Sequence, residues 1–413
     1  NFDNSVFWYE TKDSVIRRRA SRFPYHPLLG TRVWTKPFAL WKNMISMENN
    51  PSMAYLCDHQ VNHEILLPAV GFLEIVVTAA RQLQTKVTSI ILENVKLIKA
   101  LILKEDHVVE LHTIIIIPSN TFYIYSRSSG KQDVSRLGGL ASDDLIASFD
   151  DPTILQEYDS REWKLHAEGN IKFTNTVEHN INSDEIYNTC QKLMTHGTWS
   201  LVNQEDLSSV YKTLNLRGYQ YGTKFQCLRS LWGTVSNLVA DVSINFTDTD
   251  DVSSYTFHPT LLDACVQTSL VLQPQDHMFV PVSINKITFF MSSIVPSSNE
   301  ESSRYHCRAY AKLRSDLKRE DQSFTADIYI LNEHMNSCLV EINGFKLQNI
   351  SSNHSADISR PSSSIFDKLE TISWMPNRSY NDELQILLAE YCVKPIWTLD
   401  TTYSSYETTS TLA

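Results

Sequence analysis

Two spacings of apolar residues alternate along this chain, and together they predict an α+β fold. β-Branched runs with period-two alternation come in a cluster. VTSIILENVKLIKALIL (87–103), HVVELHTIIIIP (107–118), FYIYSR (122–127) and WKLHAEGNIKF (163–173) all read as strands. Ahead of them lie a short strand near Trp34 and then PAVGFLEIVVTAARQLQ (68–84), a helix with Pro68 placed at N1, where a missing N–H costs nothing. A second stretch follows the same plan. SDEIYNTCQKLM (183–194) predicts a helix capped by Ser183, and SLWGTVSNLVADVSINF (230–246) predicts strands. HPTLLDACVQTSLVL (258–272) is again a helix announced by a proline, Pro259 at N1. VPVSINKITFF (280–290), RYHCRAYAKL (304–313), TADIYIL (325–331) and CLVEINGFKLQNI (338–350) complete it as strands. One long helix with several strands occurs twice, which predicts two similar halves side by side. No residue-level repeat relates them.

The flanks differ in character. SSNHSADISRPSSS (351–364) is polar and serine-rich and reads as a linker. The residues after it are too few for an independent domain, and both ends read as cut from a longer chain.

Composition narrows the function classes. The 413 residues carry a net charge of −11 with no long basic stripe, which argues against nucleic acid as a partner. No apolar run approaches the roughly 18 to 20 residues of a membrane span, and the N-terminal residues lack the apolar core of a signal peptide. The 7 cysteines are scattered and form no C-x-x-C pair, so neither a disulfide framework nor a cysteine zinc site is expected. A reduced, cytoplasmic setting fits this usage.

Three stretches carry candidate chemistry. In DHQVNHEILLPAVGFLEI (58–75), His59 and His63 lie four apart. On a helix they would share a face and suit a metal, but Pro68 biases the preceding residues toward extended backbone, and no H-E-x-x-H pattern is present. In an extended segment the two would stand about 13 Å apart. The pair therefore reads as metal ligands, as one acid–base histidine with a neighbour, or as two surface histidines. In HPTLLDACVQ, Asp263 and Gln267 are i and i+4 on the helix, where the amide can orient the carboxyl. An aspartate on an otherwise apolar helix is costly unless paired, and burial would raise its pKa as a general acid requires. The plain alternative is an amphipathic helix with both residues solvated. In LRGYQYGTKFQCL (216–228), Gly218 and Gly222 bracket Tyr219 and Tyr221. This is a turn and strand start, or a place where Gly222 lets backbone approach a ligand and Tyr221 offers a hydroxyl.

Taken together these segments resemble the dehydratase domain of modular and iterative polyketide synthases, related to the dehydratase of animal fatty acid synthase. HPLLGTRV (26–33) is similar to the opening of such domains, and the His59 stretch resembles H-x-x-x-G-x-x-x-x-P with His59 and Pro68 in register. LRGYQYGTKFQCL resembles Y-G-x-x-F, HPTLLDACVQ resembles H-P-x-L-L-D-x-x-x-Q, and VPVSI (280–284) resembles the segment that follows. The resemblance covers about residues 24 to 350. VFWYE (6–10) is similar to the end of a post-acyltransferase linker and ISWMPN (372–377) to the start of a following domain.

The resemblance implies a double hotdog: an N-terminal half over 24–175 and a C-terminal half over 176–350. Residues 1–23 would be a linker remnant and 351–413 a linker and the start of the next synthase domain. It implies elimination of water from a β-hydroxyacyl thioester held on the phosphopantetheine arm of an acyl carrier protein, with no cofactor or metal of its own. His59 would take the α proton and Asp263 would protonate the departing hydroxyl. Gln267 would orient Asp263, Tyr221 and Gly222 would support the site, and a backbone N–H after Pro68, at Val70 or Gly71, would bind the thioester carbonyl. Partners implied are the carrier protein, an upstream acyltransferase, a downstream methyltransferase or ketoreductase region, and a second copy in a homodimer. One departure stands out: His63 occupies the family's glycine position, where glycine would serve a tight backbone turn or close approach to the substrate, and where a histidine's bulk would narrow the substrate path, shift substrate choice or mark an inactive domain kept for structure and dimerisation. A product-template domain shares the fold and the His/Asp pair, and a hotdog thioesterase lacks the two-motif pattern.

Overall fold

The computed structural model describes residues 25–34, 38–47, 50–104, 107–117, 119–130, 158, 162–175, 183–201, 204–244, 254–273, 277–294, 306–314 and 322–350. The expected linker segments 1–23 and 351–413 lie outside the described residues. The chain divides into two units, 1–140 with 161–372 and 141–160 with 373–413; apart from Tyr158, every described residue belongs to the first.

Its first half opens with β1 (Thr31–Trp34) and β2 (Phe38–Ile45), followed by a 3-10 segment (Pro51–Asp58) and the short strands β3 (His59–Val61) and β4 (Glu64–Ile65). Helix α1 (Ala69–Leu83) comes next, then β5 (Ser89–Leu97), β6 (His107–Ile116), β7 (Thr121–Gly130) and β8 (Lys164–Thr174). The second half holds α2 (Ser183–His196), β9 (Trp199–Leu201), α3 (Gln204–Leu216), β10 (Tyr219–Tyr221), a 3-10 turn (Thr223–Phe225), β11 (Leu228–Gly233) and β12 (Asn237–Ser243). Helix α4 (Pro259–Val271), β13 (Phe279–Phe290), the single turn α5 (Met291–Ile294), β14 (His306–Leu313), β15 (Ser323–Asn332) and β16 (Cys338–Asn349) complete it. Helix α3 has no counterpart among the sequence expectations. The long helices and the strands after them fall where the apolar spacing puts them.

Thirteen strands form one antiparallel sheet in the order β1-β2-β6-β7-β8-β5-β13-β16-β15-β14-β12-β11-β9. Read outward from the centre, the two sides match. The strand after each long helix (β5, β13) is central, and the fourth, third and second strands after that helix follow in turn. The strands that precede the helix lie outermost. The halves join where β5 pairs with β13, with Ile284 opposite Val95 and Ile287 opposite Leu92.

Each half wraps its sheet around one helix. In α1 every residue from Val70 to Ala80 is buried, and in α4 every residue from Pro259 to Leu270. A helix buried on all sides must lose its solvated face, so its few polar residues have to find partners inside the protein. The two helices pack against each other at the centre. The HPLLG segment closes a tight loop next to them: His26 and Gly30 exchange backbone hydrogen bonds, and Gly30 adopts φ +78°, where a Cβ would lie 2.2 Å from the Lys42 carbonyl oxygen. Among the described residues no helix is long and apolar enough to cross a membrane.

Candidate active site

His59 is placed by backbone on both sides of it. The 3-10 segment ends at Asp58, whose carboxylate accepts the Lys224 N–H at 2.8 Å and whose carbonyl accepts the Gly222 N–H at 2.7 Å. The chain then turns extended as β3, which pairs with β10 of the other half, Tyr221 opposite His59. His59 is buried, with its ring 5.1 Å from Phe225 and 5.7 Å from Tyr221 between centroids. Its Nδ1 lies 2.9 Å from the Leu66 carbonyl oxygen. A carbonyl only accepts, so Nδ1 carries a proton, and in the neutral ring this leaves the lone pair on Nε2.

Asp263 comes from the second half, one turn into α4. His258 caps that helix, its side chain accepting the Thr260 N–H, and Pro259 occupies N1 as its sequence position predicts. Asp263 and Gln267 are both buried, which sets aside the solvated alternative, and Gln267 Nε2 donates to Asp263 Oδ2 at 2.8 Å. Burial pushes the Asp263 carboxyl above its ordinary range, against smaller opposing effects of His59 and of the Gln267 hydrogen bond. The other carboxyl oxygen, Oδ1, stands 4.0 Å from His59 Nε2. That distance is too long for a hydrogen bond. A histidine nitrogen and a carboxyl whose burial favours its neutral form thus face each other, one from each half.

The remaining predicted site residues have different fates. Tyr221 flanks His59, and burial raises its phenol well above the usual range. At Gly222 a Cβ would lie 2.4 Å from Asp58 Cγ, so the glycine makes room for the carboxylate that anchors the turn before His59. Pro68 sits one position before its expected place, as the N-cap of α1 (φ −61°, ψ 148°) rather than at N1. The Gly71 N–H turns back to the Pro68 carbonyl at 2.8 Å, and Val70 stands at the buried start of the helix.

His63 is exposed, at the tip of the β3–β4 hairpin, while His59 is buried. Asn62 and His63 both adopt positive φ, 49° and 66°, as a two-residue hairpin turn of type I′ demands. Glycine is the favoured second residue of such a turn, and histidine tolerates the left-handed region better than most side chains. The position serves the turn, and the His63 side chain is exposed whereas His59 and Asp263 are buried. The pair of histidines therefore does not converge on a metal, and among the described residues no group of three or more His, Cys, Asp or Glu side chains does.

Sequence reasoning missed several supports. Phe225 contributes its ring to His59 and its carbonyl to Gln267 Nε2 at 3.1 Å, and Tyr211 on α3 donates to Gln267 Oε1 at 3.4 Å. Phe225 lies within a quoted motif. Tyr211 belongs to a spacing (Leu207, Tyr211, Leu214, all buried) that repeats at i, i+4, i+7 and carries the signal of the missed helix.

Two family profiles match the chain. One, described as a polyketide synthase dehydratase domain, spans residues 26–127 and includes His59; the other, described as a polyketide synthase dehydratase N-terminal domain, spans residues 200–357 and includes Asp263. The chain belongs to the polyketide synthase dehydratase family. A highly reducing polyketide synthase of Pyrenophora dematioidea is 26% identical over 315 residues, covering 71% of this chain and 11% of its own length. Another from Aspergillus sclerotiorum is 25% identical over 305 residues, covering 70% and 10%. The chain thus spans about a tenth of the length of these curated relatives. Among solved structures, the dehydratase domain from the CurF module of curacin polyketide synthase superimposes with a TM-score of 0.58 at 20% identity, covering 79% of this chain and 99% of that one. The CurK dehydratase domain gives 0.57 at 21%, covering 78% and 98%. The fold of this dehydratase-family chain is the double hotdog, and its halves are the two matching sides of the sheet.

Proposed function

We propose that this domain eliminates water from a β-hydroxyacyl thioester carried on the phosphopantetheine arm of an acyl carrier protein, leaving an α,β-enoyl thioester. The observation that carries the proposal is His59 Nε2 facing the buried Asp263 carboxyl, whose pKa burial raises, across 4.0 Å. In this reading His59 Nε2 takes the proton from the α carbon. The C–H electron pair forms the α,β double bond, and the C–O bond at the β carbon breaks. Asp263 gives its proton to the departing oxygen, which leaves as water. Base and acid differ in kind, so neither has to be kept in its working state by repelling the other.

Charge developing on the thioester oxygen needs a donor. The N-terminus of α1 supplies one in Val70, whose backbone N–H lies in the first turn, while the Gly71 N–H is already engaged with Pro68. Two further solved structures similar to this chain are CurK dehydratase mutants described as inactive, one with aspartate replaced by asparagine and the other with histidine replaced by phenylalanine. Those replacements bear on residue types that this site also pairs. The large synthases among the relatives support flanking synthase domains as partners; a carrier protein and a homodimer belong to the same proposed reading.

The test is incubation with a panel of β-hydroxyacyl pantetheine and carrier-protein thioesters, followed by mass spectrometry for loss of one water. Turnover by the wild-type domain that vanishes in His59→Ala and Asp263→Asn is the expected result. A folded wild type that leaves every thioester intact sinks the reading.

A further inference from the structure

The amide of Gln267 is held from both ends by backbone groups that cannot change role. Both Nε2 hydrogens are used: one goes to the Phe225 carbonyl at 3.1 Å and the other to Asp263 Oδ2 at 2.8 Å. At the other end Oε1 accepts from the Tyr211 hydroxyl at 3.4 Å. The Tyr211 oxygen is in turn occupied by the Leu228 N–H at 3.1 Å. An amide N–H only donates and a carbonyl only accepts. The chain Leu228 N–H to Tyr211 O–H to Gln267 amide to Asp263 therefore runs in one direction. Reversing the amide would aim its oxygen at the Phe225 carbonyl and its nitrogen at the Tyr211 hydroxyl hydrogen. All three side chains are buried, so water does not readily substitute for a missing partner.

We infer that Tyr211 is a positioning residue that fixes the acid proton of Asp263 on Oδ1, the oxygen facing His59, by locking Gln267 as a donor to Oδ2. The inference rests on the dehydratase reading for its consequence in turnover, but not for its geometry. With Oδ2 always receiving a hydrogen, a proton there would meet the amide hydrogen head-on. The proton is left on the oxygen 4.0 Å from the base, where the departing hydroxyl would be in that reading. If Tyr211 stops donating, Gln267 loses its fixed sense. Its oxygen can then turn to Asp263 and draw the proton onto Oδ2, away from the reacting group.

The experiment follows the Asp263 carboxyl directly, by ¹³C NMR of the domain labelled in aspartate side chains, with Asp263→Asn to assign the signal. Tyr211→Phe is expected to move the Asp263 titration upward by about one pH unit, because a donor to the charged form is weakened. It is also expected to lower kcat about tenfold, the size of one hydrogen bond, with KM within about twofold. Gln267→Leu should give the same upward move, and adding Tyr211→Phe to it should change nothing more. Site-specific fluorination of the Tyr211 ring keeps its shape and strengthens its donation, so it should move the titration downward and covers the case in which Tyr211→Phe does not fold. An Asp263 titration that stays put in Tyr211→Phe and under fluorination, or effects that add fully to Gln267→Leu, would overturn the inference. A wild type silent on all thioesters would instead remove the dehydratase reading, and the NMR titration would still decide the role of Tyr211.

Discussion

Each half of the molecule buries one carboxylate on its central helix, and the two are treated in opposite ways. Glu74 on α1 is surrounded by donors. The Thr256 and Phe257 backbone N–H groups reach it at 2.7 and 3.0 Å, the Thr78 hydroxyl at 2.8 Å, and His26 Nε2 at 3.2 Å. His26 accepts the Leu28 and Leu29 N–H groups on Nδ1, so its Nε2 carries a hydrogen to give. Asp263 on α4 receives one side-chain donor and turns its other oxygen toward His59. Four donors make a carboxylate an acceptor only and a clamp, tying α1 to the segment that leads into α4 and to the HPLLG loop. One donor leaves a carboxyl whose pKa burial raises, the condition the proposed acid role requires. Environment, more than residue type, separates structure from chemistry here.

The contrast breaks if the wrong carboxylate proves essential. Asp263→Asn is expected to lower turnover by about a hundredfold to ten-thousandfold, the range for a lost general acid, with the fold intact by circular dichroism. Its effect on stability should depend on pH. Burial raises the folded-state pKa of Asp263 above its unfolded value near 4, so its contribution is fully present below that value and is lost as pH rises through the folded one. The Tm of Asp263→Asn should therefore gain on wild type as pH is raised, and a constant difference across the range would contradict the assignment.

Glu74→Gln should do the reverse. Its new NH₂ would confront backbone donors, costing about 3 kcal/mol of stability. Denaturant melts would read this as a lower midpoint at unchanged slope, and the folded fraction should keep kcat close to wild type. Gly222→Ala sharpens the comparison from the side of the base. A Cβ 2.4 Å from Asp58 Cγ must displace the residue before His59, at a cost of about 2 kcal/mol with a several-fold fall in kcat. The smallest change is expected for His63→Gly: relief of the left-handed backbone should raise stability by about 0.5 kcal/mol and leave turnover unaltered. Tm and steady-state kinetics would check both, and a large gain in turnover for His63→Gly would return that side chain to the reaction path.

Much of this arrangement could be read from the chain alone where the information is local. Helix α4 and the strands β11 to β16 follow from apolar spacing and proline position, and the Asp263–Gln267 pair follows from an i, i+4 offset. What stayed hidden depends on distant segments. The donors to Glu74 come from residues 256 and 257, far along the chain, and the neighbour that requires glycine at 222 is Asp58. Helix α3 escaped because its polar residues mask three buried positions, although Leu207, Tyr211 and Leu214 do mark one face. His63 was left between two readings for a different reason. A glycine position suggests room for a ligand as readily as it suggests positive φ, and only the Asn62 before it hinted at the turn.

The seam between β5 and β13 has a consequence for the history of such a protein. Its partners are main-chain groups in register, with Lys286 opposite Glu93 and Phe289 opposite Ile90, and a backbone ladder makes few demands on side-chain identity. Two copies of an ancestral half joined in this way could drift apart residue by residue without losing their alignment. One could then specialise in carrying a base and the other an acid. The symmetry would persist in strand order long after it had faded from the letters, which is the condition of this chain.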